Sequence, residues 1–317
     1  MRLGRSLALP ADKACSMDPM LKFRTIGSGQ PRLLITAGVH GDEFEPMVAI
    51  RKLWQRLQSK SVQGRITLVP IVNEPAFLRA QRTGDDGKDL ARTMPGRADG
   101  SPTEQIAAAL TPLIREADYY IDLHTGGRLF RISPLSGYTL HPDRRVLDVQ
   151  RGMARAFNCP IVWGTHPGHE GRTLSVARDA KVPAIYVEAC GGERFDDAAV
   201  DLCVEGCLNV AASLDLIDHT TSQRRVDHVV EDPRDASGHL QVMHPSPADG
   251  LFVPAVELGQ RVSAGQLWGR VVDGFGESRG EITAAEAGLA LFLRAVPAVR
   301  KGESTGGVLP LGLPTLD

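Results

Sequence analysis

Between residues 32 and 39 the chain runs Arg-Leu-Leu-Ile-Thr-Ala-Gly-Val, a short apolar stretch closed by a glycine and followed at once by polar residues. From Pro46 to Gln58 the apolar positions fall instead at Met47, Ile50, Leu53, Trp54 and Leu57, the spacing of one helix face. The pattern predicts a strand, a turn and a helix. It then repeats: Arg65–Val72 reads as a strand, Ala107–Glu116 as a helix, Tyr119–Leu123 as a strand ending at His124, and Ala184–Val187 as a strand with Glu188 at its end. Strands and helices alternating at these lengths imply an α/β sheet covered on both faces.

A long, mostly apolar helix is expected over Asp197–Ile217, followed by a polar stretch from Asp218 to Ala236 and then by short strands rich in glycine, valine and proline. The expected division is a catalytic domain over residues 1–218 and a linker with a small β-rich domain over 219–317. The β-rich part carries a faint repeat, Val262-x-x-Gly265-x-x-x-Gly269-x-Val271 and, 37 residues on, Val299-x-x-Gly302-x-x-x-Gly306-x-Val308. Such a repeat suggests a pseudo-symmetric β sandwich resembling the biotinyl and lipoyl carriers. Those carriers need a lysine at a hairpin tip, and Lys301 is the only lysine after residue 218. The domain therefore reads as structural, or as part of a substrate entrance.

Composition adds mainly exclusions. The 317 residues balance 36 basic against 38 acidic groups, a formal charge of −2, which offers no global field for nucleic acid or an anionic membrane. The apolar stretch Leu7–Pro10 after Arg2 and Arg5 is too short for a secretory signal core, and no apolar run approaches the ~18 residues of a membrane span. Cysteines at 15, 159, 190, 203 and 207 form an odd set without paired spacing, which favours a reducing compartment, with the cytoplasm as default. Cys203 and Cys207, four apart on a helix, read as small core residues rather than metal ligands.

In α/β sheets ligands collect at the carboxyl ends of the strands, and His40, His124 and Glu188 all fall there. Zinc takes imidazole nitrogens and carboxylate oxygens at about 2.0–2.2 Å, and a catalytic site uses three protein ligands. His40-Gly-Asp-Glu43 supplies two from one turn, with Gly38 and Gly41 letting the backbone bend. His124 supplies the third, and Asp122 stands two residues before it, where it can orient that ligand. Amide hydrolysis also needs a base that takes a proton from the attacking water, and Glu188, closing an apolar strand, suits that task. An arginine would stabilise the oxyanion, but spacing alone does not choose among Arg79, Arg82, Arg92 and Arg97. Arg172 and Arg178 read either as substrate contacts or as surface charges, and His166 and His169 as a solvated loop.

Together, Gly38-Val-His-Gly-Asp-Glu43, Asn73-Glu-Pro-Ala-Phe-x-x-x-x-Arg82, Asp89-Leu-Ala-Arg92-x-x-Pro-Gly96, Asp122-Leu-His-Thr-Gly-Gly127 and Val187-Glu188-x-x-Gly-Gly192 resemble the succinylglutamate desuccinylase/aspartoacylase family. The resemblance runs from about residue 30 to 310. Asp86-Gly-Lys-Asp-Leu, Gly100-Ser-Pro-Thr-Glu and Ala117-Asp-Tyr-Tyr-Ile-Asp-Leu-His124 are most similar to its bacterial branch of N-acetyl-diaminobutyrate deacetylases. It implies a three-layer mixed sheet of zinc-carboxypeptidase type with a small C-terminal barrel-sandwich-like domain. It further implies one zinc on His40, Glu43 and His124, Glu188 as general base, Arg82 polarising the scissile carbonyl and Arg92 pairing with a substrate carboxylate. Ala91 stands where the family motif has asparagine and Met94 where it has phenylalanine, so the usual carboxylate grip lacks an amide donor. The expected activity is zinc-dependent deacylation of a small N-acyl amino acid, without nucleic acid or membrane partners and with homo-oligomerisation left open. The alternatives are a carboxypeptidase-like peptidase using the same zinc chemistry, and a non-catalytic metal-binding or ligand-sensing relative.

Overall fold

A computed structural model of the chain describes residues 20–192, 194–221 and 225–313. The short apolar stretch at 7–10 and Cys15 lie outside the described residues. The first region comprises β1 (Arg24–Ser28), β2 (Arg32–Ala37), α1 (Phe44–Leu57), β3 (Gly64–Val69), α2 (Glu74–Leu78), α3 (Pro102–Glu116), β4 (Tyr119–His124), β5 (Phe130–Thr139), α4 (Arg144–Phe157), β6 (Ile161–Thr165), α5 (Thr173–Asp179), β7 (Ala184–Cys190), α6 (Asp197–Ser213) and β8 (His228–Glu231). Strands β3, β2, β4 and β7 pair in parallel, β1 closes one edge antiparallel to β3, and β5 runs antiparallel to β7. The parallel pairs β5–β6 and β6–β8 complete this side. The predicted α/β architecture is thus a mixed sheet.

Period-two alternation along the strands sorts their side chains into two layers. Leu33, Ile35, Ile121, Leu123, Ile185 and Val187 pack with the apolar faces of α1, α4 and α6. Leu34, Tyr120 and Ala184 face the other way, against α3 and α5. By the same parity Thr36, Asp122, His124, Tyr186 and Glu188 belong to the second face. Helix α3 starts at Pro102, earlier than the apolar pattern indicates, because the Glu104 side chain accepts the backbone N–H of Ser101 at 2.9 Å and closes the first turn.

Downstream lie β9 (Gly250–Pro254), β10 (Arg261–Val262), β11 (Leu267–Val272), β12 (Ser278–Thr283), β13 (Gly288–Arg294), β14 (Ala298–Val299) and β15 (Gly306–Pro310). Strands β12, β11, β9 and β14 form a second, antiparallel sheet. Strand β13 pairs with β10, β15 and, through Phe292 and Ile132, with β5 of the large sheet. The edge of β5 changes partner around Pro134, from β13 at residues 130–132 to β6 at 135–139. Proline has no N–H to continue a ladder there. The sequence repeat corresponds to a structural one: β10 and β14 are each two residues long, each is followed by a tight turn, and Gly265 and Gly302 have φ of +77° and +87°.

Between β2 and α1 the chain turns at Gly38, whose φ of +69° lies in the left-handed region that favours glycine. Gly41 serves a different need, since a Cβ there would lie 2.0 Å from the carbonyl carbon of Ala76 in α2. Gly41→Ala should therefore push α2 away and destabilise the fold by about 1–3 kcal/mol, the usual cost of overpacking. The urea midpoint measures it, and an unchanged midpoint would show that α2 yields freely.

Candidate active site

His40 and Glu43 occupy the turn between β2 and α1, and His124 is the last residue of β4. The three side chains are buried and converge, the ligand atoms of the set lying within 4.8 Å of one another. Among the described residues this is the one group of His, Cys, Asp and Glu side chains so disposed. The carboxylate of Glu43 sits between the imidazoles, with Oε1 2.7 Å from His40 Nδ1 and Oε2 3.0 Å from His124 Nδ1.

Both outer ring nitrogens meet carboxylates. His40 Nε2 lies 3.1 Å from Asp89 Oδ1, and His124 Nε2 lies 3.0 Å from Asp122 Oδ2. A carboxylate behind each Nε2 suits a hydrogen there, so a bound cation would meet the Nδ1 lone pairs in place of the protons that bridge Nδ1 to Glu43. Asp122 is fully buried and also accepts the hydroxyls of Thr36, at 2.7 Å, and of Thr173. Burial by itself would raise the carboxyls of Asp122 and Glu43, but the imidazoles beside them hold both below the usual range. Burial likewise disfavours charge on His124, yet Asp122 and Glu43 override it and raise its pKa well above the ordinary value. The donor set of two imidazoles and a carboxylate, buried and backed by further carboxylates, fits a divalent transition metal, zinc among them.

Glu188 sits inside β7 rather than beyond its end, because the strand continues to Cys190. Its Cα is in register with that of His124 on the neighbouring parallel strand, so both side chains stand on the same face. Glu188 Oε2 is sealed from solvent without a hydrogen-bond partner, and burial pushes the carboxyl up to about 8.

These groups line a cleft of about 260 Å³ that also receives Arg82, Arg92 and Arg172. Arg82 donates to Asp89 Oδ2 from Nε at 3.1 Å and from Nη2 at 2.9 Å. Asp89 thereby ties the arginine to His40, a role that sequence reading left unassigned although the residue lies in the Asp89-Leu-Ala-Arg92 segment. Arg79 pairs with Asp85 and Arg97 with Glu104, both away from the cleft. Arg178 bonds Glu170 and Asp179. His169 is not solvated: it is buried, with Nε2 2.5 Å from the carbonyl oxygen of Ser237. Cys203 and Cys207 are core residues beneath the sheet.

Fold and site together define a family. The catalytic domain of the succinylglutamate desuccinylase/aspartoacylase family matches residues 29–214, and the chain belongs to that family. It is 32% identical over 276 residues to the N-alpha-acetyl-L-2,4-diaminobutyric acid deacetylase of Halomonas elongata, covering 84% of this chain and 78% of that protein. Among solved structures it is similar to a succinylglutamate desuccinylase/aspartoacylase from Rhodobacter sphaeroides, with 25% identity, TM-score 0.79, and 90% and 88% of the two chains covered. It is also similar to the product-bound ectoine utilization protein of Ruegeria pomeroyi, with 27% identity, TM-score 0.80, and 90% and 87% covered.

If Asp122 fixes the tautomer of His124, Asp122→Asn should lower the affinity for Zn²⁺ by about 10–100-fold. Competition against a chromogenic chelator measures this, and unchanged affinity would remove Asp122 from the metal's support.

Proposed function

We propose that this chain is a zinc-dependent amidohydrolase that removes the acyl group from a small N-acyl amino acid. One observation carries the reading: a buried His40–Glu43–His124 set has, in register beside it, a carboxylate of raised pKa with an unpartnered oxygen. Family membership and the deacetylase named for the Halomonas relative point the same way.

In this reading His40, Glu43 and His124 hold the zinc. When bound, zinc would supply Lewis acidity that polarises the scissile carbonyl and lowers the pKa of water. Glu188 takes the proton from the attacking water as its oxygen adds to the carbonyl carbon, then delivers that proton to the departing amine nitrogen. A carboxyl lifted by burial accepts a proton more readily than an ordinary glutamate and then holds it until the amine departs. Arg82, oriented by Asp89, faces the carbonyl oxygen as charge develops there. Arg92 pairs with the substrate carboxylate.

The peptidase alternative is less well supported, because Leu240 and Val296, from the segments after β8 and β13, line the cleft beside the catalytic groups. A lining of that kind at about 260 Å³ suits a small molecule better than a peptide. The C-terminal region is thus read as part of the substrate entrance. No helix among the described residues is long and apolar enough to cross a membrane. The odd cysteine set supports a cytoplasmic enzyme.

Stripping the metal with a chelator should abolish hydrolysis of N-acetyl amino acids, and adding Zn²⁺ should restore it; full activity after verified removal would refute the reading. Glu188→Gln should lower kcat by several orders of magnitude while zinc content is unchanged. For the wild type, kcat/KM should rise with pH, because the base acts only when ionised and burial lifts its pKa above the ordinary 4.5. A rate independent of pH between about 5 and 8 would remove Glu188 from that role.

A further inference from the structure

Arg172 lies just before α5, and its side chain reaches the cleft that holds Glu188. The residue preceding it, Gly171, is pressed against the backbone of Arg92: a Cβ there would lie 2.6 Å from the Arg92 carbonyl oxygen, and Met94 N–H donates to the Gly171 carbonyl at 3.0 Å. The two arginines therefore enter the cleft side by side. Ala91, next to Arg92, also lines it and contributes only a methyl group.

Arg172 is half-buried and forms no ion pair among the described residues; Nη2 donates to the carbonyl oxygen of Gly238 at 3.3 Å. Burial, and then the charge of Arg92, lowers its pKa to about 10. His239 feels the same two arginines, and burial followed by their charges lowers its pKa too. A guanidinium taken from water without a counter-ion is costly, so this corner attracts an anion.

Four acids, Asp42, Glu43, Asp122 and Glu188, line the cleft wall, and two of them, Glu43 and Asp122, are fully engaged. Glu43 is clasped by the two imidazoles, Asp122 by His124, Thr36 and Thr173, and Asp42 accepts the backbone N–H of Arg128 at 3.3 Å. Glu188 is the proposed base. The rest of the wall combines the apolar Leu129, Phe130, Ile132, Leu174, Leu240 and Val296 with Arg128, Tyr186 and four threonines. Beside Arg92 and Arg172, a second ammonium group on the substrate would face two guanidinium groups.

We propose that Arg172 is a second carboxylate anchor of the cleft, and that the amino acid handled there has an uncharged side chain rather than a cationic one. The inference rests on the deacylase reading for the identity of the ligand, and it separates this chain from the diaminobutyric acid derivative in the name of the Halomonas relative. Arg92 and Arg172 grip one carboxylate, and the apolar part of the wall receives the uncharged remainder.

The test uses zinc-loaded Glu188→Gln protein and calorimetric titration with N-acetyl-L-leucine, its carboxamide, and Nα-acetyl-L-2,4-diaminobutyrate. N-acetyl-L-leucine should bind about tenfold or more tightly than either of the others, given the strength of charge-assisted hydrogen bonds. Adding Arg172→Gln should erase the preference for carboxylate over carboxamide with zinc content unchanged. Arg172→Lys should recover part of it, because a point charge attracts the anion without the fork. An undiminished preference in Arg172→Gln, equal or tighter binding of the diaminobutyrate derivative, or no binding of any ligand would overturn the proposal. Turnover of the same compounds by wild-type protein separates the two readings. Absent hydrolysis with an Arg172-dependent preference sinks the deacylase alone; hydrolysis with an Arg172-independent preference sinks the anchor alone.

Discussion

The site depends on one buried carboxylate held between two imidazoles. Glu43 has almost no access to water, so its charge is tolerable only because His40 and His124 meet its two oxygens. Those histidines are themselves fixed from behind by Asp89 and Asp122, which turn the Nδ1 atoms inward. Asp122 in turn is held by hydroxyls from β2 and from the first residue of α5. A set of neighbouring acids and bases that would be unfavourable singly is thus satisfied as a network, and such a network stays rigid because each member lacks an alternative partner.

The sheet supplies the geometry for that network. In parallel strands residues in register share a face, so His124 on β4 and Glu188 on β7 stand side by side without any loop having to place them. The opposite face is closed by α1, α4 and α6, whereas this one is covered by α3 and the short α5. The gap left over the strand ends is the cleft. Its far wall comes from β5 and from the segments after β8 and β13, and the β13–β5 pairing ties the downstream strands to the large sheet. The downstream region therefore bears on the cleft directly, through Val296, besides carrying its own pseudo-symmetric core around Trp268.

Much of this was legible in the sequence, and for local reasons. Apolar periodicity is set by neighbours along the chain, so β2, α1, β4 and β7 and the strand ends bearing His40 and His124 could be read from it, as could the paired turns at Gly265 and Gly302. The His-x-x-Glu spacing and Asp122 lie within a few residues of one another, and their convergence follows from one turn and one strand. Local spacing misplaced several features: Glu188 sits within its strand rather than beyond it, α3 begins at Pro102 rather than Ala107, α6 ends at Ser213 rather than Ile217, and His169 is buried rather than solvated.

What tertiary structure alone decided are the long-range pairings. Asp89 supports His40 from 49 residues away, Thr173 supports Asp122 from 51, and Glu43 meets His124 across 81. The four arginines of 79–97 were equivalent along the chain, and only packing sent Arg82 and Arg92 into the cleft while Arg79 and Arg97 paired with acids outside it. Arg172 and Arg178 looked alike for the same reason, yet one enters the cleft and the other pairs outside it. A charge has no periodicity that reveals its partner, because its energy depends on distance and desolvation in the folded chain. Sequence by itself determined which side chains could converge and the frame that carries them; the fold decided which charges pair with one another and which enter the cleft.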